Sequence, residues 1–180
     1  MQDATLAQRA KNDPAAFAEL YRRHVDHVYR YLLLRTGNVD DAQDLTTQTF
    51  IAALENIARY RPQASFHLWL LGIARHKVGD FFRKERRILP LEMVEDVPHP
   101  GPLPDDMVSQ SLQVERIVSL LQNLSPERAE AFILRVFGEL SAAEIAVIMG
   151  KSEAAVKMLV HRAWRDLRQH LEPIGVEEST

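Results

Sequence analysis

No cysteine occurs among the 180 residues. That excludes a disulfide framework and any thiolate metal site, and it suits a reducing compartment. Glycine is scarce, with seven in the chain, and none cluster into a phosphate-cradling loop. No apolar run approaches the ~20 residues that span a bilayer, so no membrane insertion is expected. The first residues lack a basic segment followed by an apolar stretch, which argues against a secretory signal and for a cytoplasmic location. The net charge is only −3, from 22 Lys and Arg against 25 Asp and Glu. Bulk charge is therefore silent on nucleic acid, and the distribution of charge must carry the case.

What is present is helical pattern nearly throughout. Apolar residues at 46% and charged residues at 26% fit a globular chain that buries a core. Asp13-Pro14 reads as a cap and first-turn proline. Phe17, Leu20, Tyr21, Val25, Val28 and Leu32 follow at helical spacing, and Gly37 is a natural stop. A second helix begins near Asn38, with Asp40, Asp41 and Asp44 at its positive dipole end and Leu45, Thr49, Ala52 and Ala53 inside. After the break at Arg59-Tyr60-Arg61-Pro62, Ser65 caps a long helix. Five of the nine prolines (Pro90, Pro98, Pro100, Pro102, Pro104) then fall in a stretch whose charges are all acidic: Glu92, Glu95, Asp96, Asp105 and Asp106. Such a stretch reads as an acidic linker of moderate stiffness. Helices resume near Asp105, and no strand pattern or internal repeat is found.

The fold class expected is therefore all-α, with two small helical domains joined by a Pro-rich acidic linker. The boundaries read are 1–87 for the first domain, 88–110 for the linker, 111–173 for the second domain and 174–180 for a tail.

Two constellations carry chemistry. From Ser65 to Arg87 one helix holds Phe66, Trp69, Leu70, Ile73, Ala74, Phe81 and Phe82 near helical spacing, with Arg75, Lys77, Arg83, Lys84, Arg86 and Arg87 largely elsewhere. Cations there can neutralise phosphates, and aromatic faces can meet unstacked bases. Phe66 and Trp69 also share spacing with the core face, which favours burial for both. The second constellation runs from Leu140 to Arg168. Ser141-Ala142-Ala143-Glu144 forms a capping box, Gly150-Lys151-Ser152 makes a turn, and Ser152 caps a helix bearing Lys157, His161, Arg162, Arg165 and Arg168. This is helix-turn-helix spacing, with a second helix suited to the major groove. A plain helical hairpin with a cationic end is the bland alternative.

Both halves resemble the small extracytoplasmic-function class of bacterial RNA polymerase sigma factors. In the first, Phe17 to Arg23, Asp41-Ala42-Gln43-Asp44-Leu45, Thr49-Phe50 and Phe66 to Arg75 look like region two. In the second, Leu140 to Ala146, Val156-Lys157 and His161-Arg162-Ala163 look like region four. The resemblance implies no catalytic activity, no cofactor and no metal. It implies docking of Asp40, Asp41, Asp44, Leu45 and Gln48 on the clamp of the core RNA polymerase. It implies reading of the minus-ten promoter element by Arg61, Ser65, Phe66, Arg75, His76, Lys77, Arg83, Lys84, Arg86 and Arg87. It implies reading of the minus-thirty-five element by Ser152, Lys157, His161, Arg162 and Arg165, a linker running towards the RNA exit path, and control by an anti-sigma factor.

Four departures from the family pattern stand out: Thr47-Gln48 for glutamine-glutamate, Leu54 for tryptophan, His76 for asparagine, and Met158-Leu159 for serine-arginine. A stand-alone DNA-binding regulator would explain the second half but leave the first unexplained. A metal hydrolase built on His24 and His27 lacks any recognised ligand spacing, and paired histidines on a polar helix face are expected to be solvated.

Overall fold

The computed structural model describes residues 2–88 and 115–171. Every regular element among the described residues is helical. The chain divides into two compact units, Met1–Gln113 and Val114–Thr180. The expected linker 88–110, apart from residue 88 itself, and the expected tail 174–180 lie outside the described residues.

The first unit holds α1 (Asp3–Arg9), α2 (Pro14–Thr36), α3 (Val39–Asn56), a 3₁₀ turn (Ile57–Arg59) and α4 (Phe66–Ile88). Each long helix starts on a side-chain cap. The Asp13 carboxylate accepts from the Ala15 N–H at 3.0 Å, and Pro14 opens α2. Asn38 Oδ1 accepts from the Asp41 N–H at 3.0 Å. Ser65 Oγ accepts from the Leu68 N–H at 3.1 Å. Each cap satisfies a donor that the first helical turn leaves orphaned. α2 ends on Gly37 at φ 69°, the left-handed region that favours glycine, and Asn38 starts the next helix at once. That tight joint folds α3 back onto α2.

The core between these helices contains Leu20, Val28, Tyr31, Leu32, Ala42, Phe50, Ala53, Phe66, Leu70, Leu71, Ala74 and Val78, all buried. Thr46 and Thr49 are buried as well, and their hydroxyls donate to the Ala42 and Leu45 carbonyls at 2.7 Å. The bond to a backbone carbonyl offsets the cost of taking each hydroxyl out of water.

The N-terminal helix α1 was not foreseen in the sequence. Its Leu6 and Ala7 are buried, and it packs on α2 and α4. The solvated pair of histidines is also corrected. His24 is only 8% exposed, and its ring lies against Phe66 and His67 at centroid distances of 5.3 and 5.4 Å.

The second unit holds α5 (residues 115–122), α6 (Pro126–Val136), α7 (Ala142–Met149) and α8 (Glu153–Leu171). Its core is built from Leu121, Leu124, Phe132, Ile133, Leu134, Leu140, Ile145, Val156, Ala163 and Leu167. Arg128 and Asp166 tie α6 to α8 at 2.6 Å. The capping box is complete: Ser141 Oγ accepts from the Glu144 N–H at 3.2 Å, and Glu144 accepts from the Ser141 N–H at 2.9 Å. Ser125 sits at the N-terminus of α6, but its side chain makes no cap bond. After α6 the chain turns tightly, and a Cβ at Gly138 would stand 2.7 Å from the Leu134 carbonyl oxygen.

Two outcomes follow. Gly138→Ala forces backbone to move and is expected to lower the melting temperature of the second unit more than Ser141→Ala, which removes a cap worth ~1 kcal/mol. Thermal denaturation of both variants, followed by circular dichroism, checks the order. The other concerns acid. Burial holds His24 below its ordinary value near 6.5, against the pull of Asp3. The unfolded chain therefore takes up this proton first as pH falls, so the contribution is present above that value and is lost below it. The first unit should melt at a lower temperature at about pH 5.5 than at about pH 7.5, and His24→Gln should flatten the difference.

Candidate nucleic-acid and polymerase interface

The α4 helix separates its two faces by register. Phe66, Leu70, Ala74 and Val78 recur every fourth residue and are buried. The intervening positions put His76, Arg83 and Lys84 in solvent and leave Arg75 and Lys77 half-buried. Asp80 pairs with His76 at 3.4 Å and with Arg83. Arg86 and Arg87 fall in the last turn of the helix, and their side chains lie outside the described residues. Before α4, Arg61, Pro62, Gln63 and Ser65 are exposed on the connection from the 3₁₀ turn. The Tyr60 hydroxyl closes that connection by donating to the Ala64 carbonyl at 2.8 Å.

Phe66, expected among the minus-ten contacts, is 1% exposed. It packs against Tyr60 and Trp69 at 5.6 and 5.5 Å and so supports the loop from beneath, with no face left for a base. Trp69 is half-buried.

On α3, Asp40, Asp44 and Gln48 are exposed and Asp41 is half-buried. Burial, then the neighbouring Asp40 and Asp44, push the Asp41 carboxyl above its ordinary value. Acids crowded in this way gain when a cationic partner arrives. Leu45, expected on the docking face, is 3% exposed and belongs to the core. Its place outside is taken by Ile51 and Leu54, which are 53% and 50% exposed. The sequence reading missed both, because an apolar residue in an amphipathic helix is read first as core. The four-residue step from Asp44 to Gln48, and the seven from Asp44 to Ile51, was the available signal.

On α8, Ser152 serves as the cap, accepting from the Ala155 N–H at 3.2 Å. Lys157 pairs with Glu153 at 2.7 Å across one exposed turn, a bond that solvent makes weak. His161, Arg162 and Arg165 are exposed on the outer face, opposite buried Val156, Ala163 and Leu167. Further along, a shallow hollow of about 350 Å³ is lined by His161, Trp164, Arg165, Arg168 and Gln169. Trp164 rests edge-on against Phe132 at 4.9 Å. Gly150 turns α7 into α8 at φ 64°, and Ala146 is buried where the two helices meet.

A glycine turn between a capped short helix and a longer cationic one gives the second unit helix-turn-helix geometry, an arrangement suited to a DNA groove. The first unit adds a second cationic helix and, on α3, an acidic face edged with apolar residues. Together these are two helical modules, each presenting a cationic helix face to solvent.

Residues 20–88 match the family model for sigma-70 region 2, and residues 114–167 match that for sigma-70 region 4. The chain is 38% identical over 170 residues to the ECF RNA polymerase sigma factor BldN of Streptomyces coelicolor, covering 92% of this chain and 64% of that one. It is 30% identical over 163 residues to the RNA polymerase sigma factor YlaC of Bacillus subtilis, covering 89% of this chain and 94% of that one. Among solved structures, CnrH in complex with the cytosolic domain of CnrY has the same fold, with a TM-score of 0.75, 23% identity and coverage of 96% and 99% of the two chains. RpoE of Bartonella quintana, solved with the anti-sigma factor NepR, matches at a TM-score of 0.70 and 21% identity, over 88% and 98% of the two chains. The chain belongs to the sigma-70 family, among its extracytoplasmic-function sigma factors.

Proposed function

We propose that this chain gives core RNA polymerase its promoter specificity: it docks on the polymerase through α3, reads the minus-ten element with the loop at 60–65 and α4, and reads the minus-thirty-five element with α8. The observation that carries the reading is the pairing, within one unit, of an acidic face edged by Ile51 and Leu54 with a helix whose outer face is cationic. A DNA-binding module alone has no use for the first of these.

Each face suits its task physically. Asp40, Asp41, Asp44 and Gln48 meet a basic helical partner, while Ile51 and Leu54 supply the apolar area that a specific contact buries. Arg61 and Ser65 stand at the loop where an unstacked base is received. Arg75, Lys77, Arg83 and Lys84, with Arg86 and Arg87 of the same helix, neutralise the phosphates beside it, and His76 bears on the preferred minus-ten base. Extruding a base costs a few kcal/mol, which contacts in the loop must offset. On α8 the N-terminal turns, from Ser152 through Lys157 to His161 and Arg162, enter the major groove, and Arg165 meets backbone phosphates. The setting for this work is the cytoplasm. An anti-sigma factor, of the kind solved with RpoE of Bartonella quintana, is the partner we infer for the α3 face when the protein is held inactive.

The docking half is tested with Ile51→Asp, a substitution at an exposed site that leaves the core alone. Affinity for core polymerase, measured by fluorescence anisotropy, is expected to fall about tenfold or more, in line with the loss of an apolar anchor. Unchanged affinity would remove α3 from the docking surface. The DNA half is tested with Arg162→Ala, which should weaken duplex binding and reduce the salt slope by about one. An unaltered slope would take Arg162 out of the contact set.

A further inference from the structure

The helix α1 precedes residue 20, where the match to sigma-70 region 2 begins. It nevertheless reaches the structures that frame the loop at 60–65. Buried Leu6 and Ala7 fix its seat on α2 and α4. That seat places the Asp3 carboxylate against two residues of α2. One oxygen accepts from Arg23 at 3.0 Å, and the other accepts from His24 Nε2 at 2.6 Å.

From His24 the contacts run on without a gap. Its ring faces Phe66 and His67, in the first turn of α4, at 5.3 and 5.4 Å. Phe66 meets the ring of Tyr60 edge-on at 5.6 Å. Tyr60, itself 2% exposed, holds the Ala64 carbonyl through its hydroxyl at 2.8 Å. The exposed tip of Arg61, Pro62 and Gln63 lies between those last two residues.

We propose that Asp3 is a positioning residue for the loop at 60–65, orienting it through His24, Phe66 and Tyr60 for the strand that the loop receives. This rests on the minus-ten reading of that loop given above. The physical argument is one of orientation. An imidazole 8% exposed to solvent is held by the one acceptor that reaches its Nε2–H. With the carboxylate removed, a ring whose side chain is only 10% exposed loses the acceptor that fixes its orientation, and it gains by turning towards another. Phe66 and His67 pack directly on the ring, so a turned imidazole moves the floor of the loop. Interiors packed this closely transmit such shifts.

The test uses the full chain with core polymerase and a promoter carrying 2-aminopurine in the minus-ten element. Backbone hydrogen exchange is followed at residues 60–68 in the same variants. Asp3→Ala is expected to speed exchange at 60–68 and slow strand opening roughly fivefold, the effect of about one lost interaction. Affinity for core polymerase should stay within about twofold, because α3 is left intact. Asp3→Glu, which keeps the carboxylate, should recover most of the opening rate. Unchanged exchange at 60–68 would overturn the proposal. So would an opening defect matched by an equal loss of core affinity, since that pattern belongs to a unit that has lost its fold. Faster exchange at 60–68, in a protein whose wild-type form is indifferent to minus-ten sequence, would overturn the minus-ten reading itself and the functional half of this proposal with it.

Discussion

The first unit depends on the burial of one stripe of α4: Phe66, Leu70, Ala74 and Val78. Their four-residue spacing fixes the rotation of the helix against α2 and α3, and rotation decides what the helix shows to solvent. With that stripe inward, His76, Arg83 and Lys84 can only face out. A helix rotated by a quarter turn would bury cations and expose aromatics, at a cost of several kcal/mol for each unpaired charge. The second unit obeys the same rule: Val156, Ala163 and Leu167 are buried, and His161, Arg162 and Arg165 are consequently outward. In both units the fold and the offered surface are two faces of one helix, so neither can change without the other.

Charge is organised by element in a chain whose total is nearly neutral. The acids of α3 and the cations of α4 belong to a single unit, and each set faces outward from its own helix. A body polarised in this way is oriented as well as attracted by a partner that offers a basic helix in one place and phosphates in another. Orientation matters for the promoter reading proposed above, because phosphate contacts set register while base contacts specify. The crowding of Asp40, Asp41 and Asp44 adds to this. Burial first, and then repulsion from Asp40 and Asp44, raises the Asp41 carboxyl, and the repulsive part is relieved by a cationic partner.

Much of this was legible in the sequence because capping chemistry is local. Asp13-Pro14, Asn38, Ser65, Ser141 with Glu144, and Ser152 each named a helix start that the structure places there. Gly37 and Gly150 marked two ends for the same reason, since only short-range geometry is involved. What the sequence hid is tertiary. Helical spacing placed Phe66 and Leu45 on core faces and both are buried; it was the family resemblance that assigned them to partner surfaces, and a matched motif does not say which side of a helix a large apolar group occupies. Ile51 and Leu54 are the converse case. The contact of His24 with Asp3 comes from α1, a seven-residue helix too short to give a periodic signal before its partners are in place. Ser125 has the right residue type for a cap yet makes no such bond.

The central claim is that both units serve one promoter through the polymerase. The most direct measurement is run-off transcription by purified bacterial core polymerase on a library of promoter sequences, with and without this protein. The account predicts transcripts that arise only when the protein is added, from templates sharing two separated sequence elements, one for each unit. Duplex DNA binding with no binding to core polymerase and no added transcripts would contradict it.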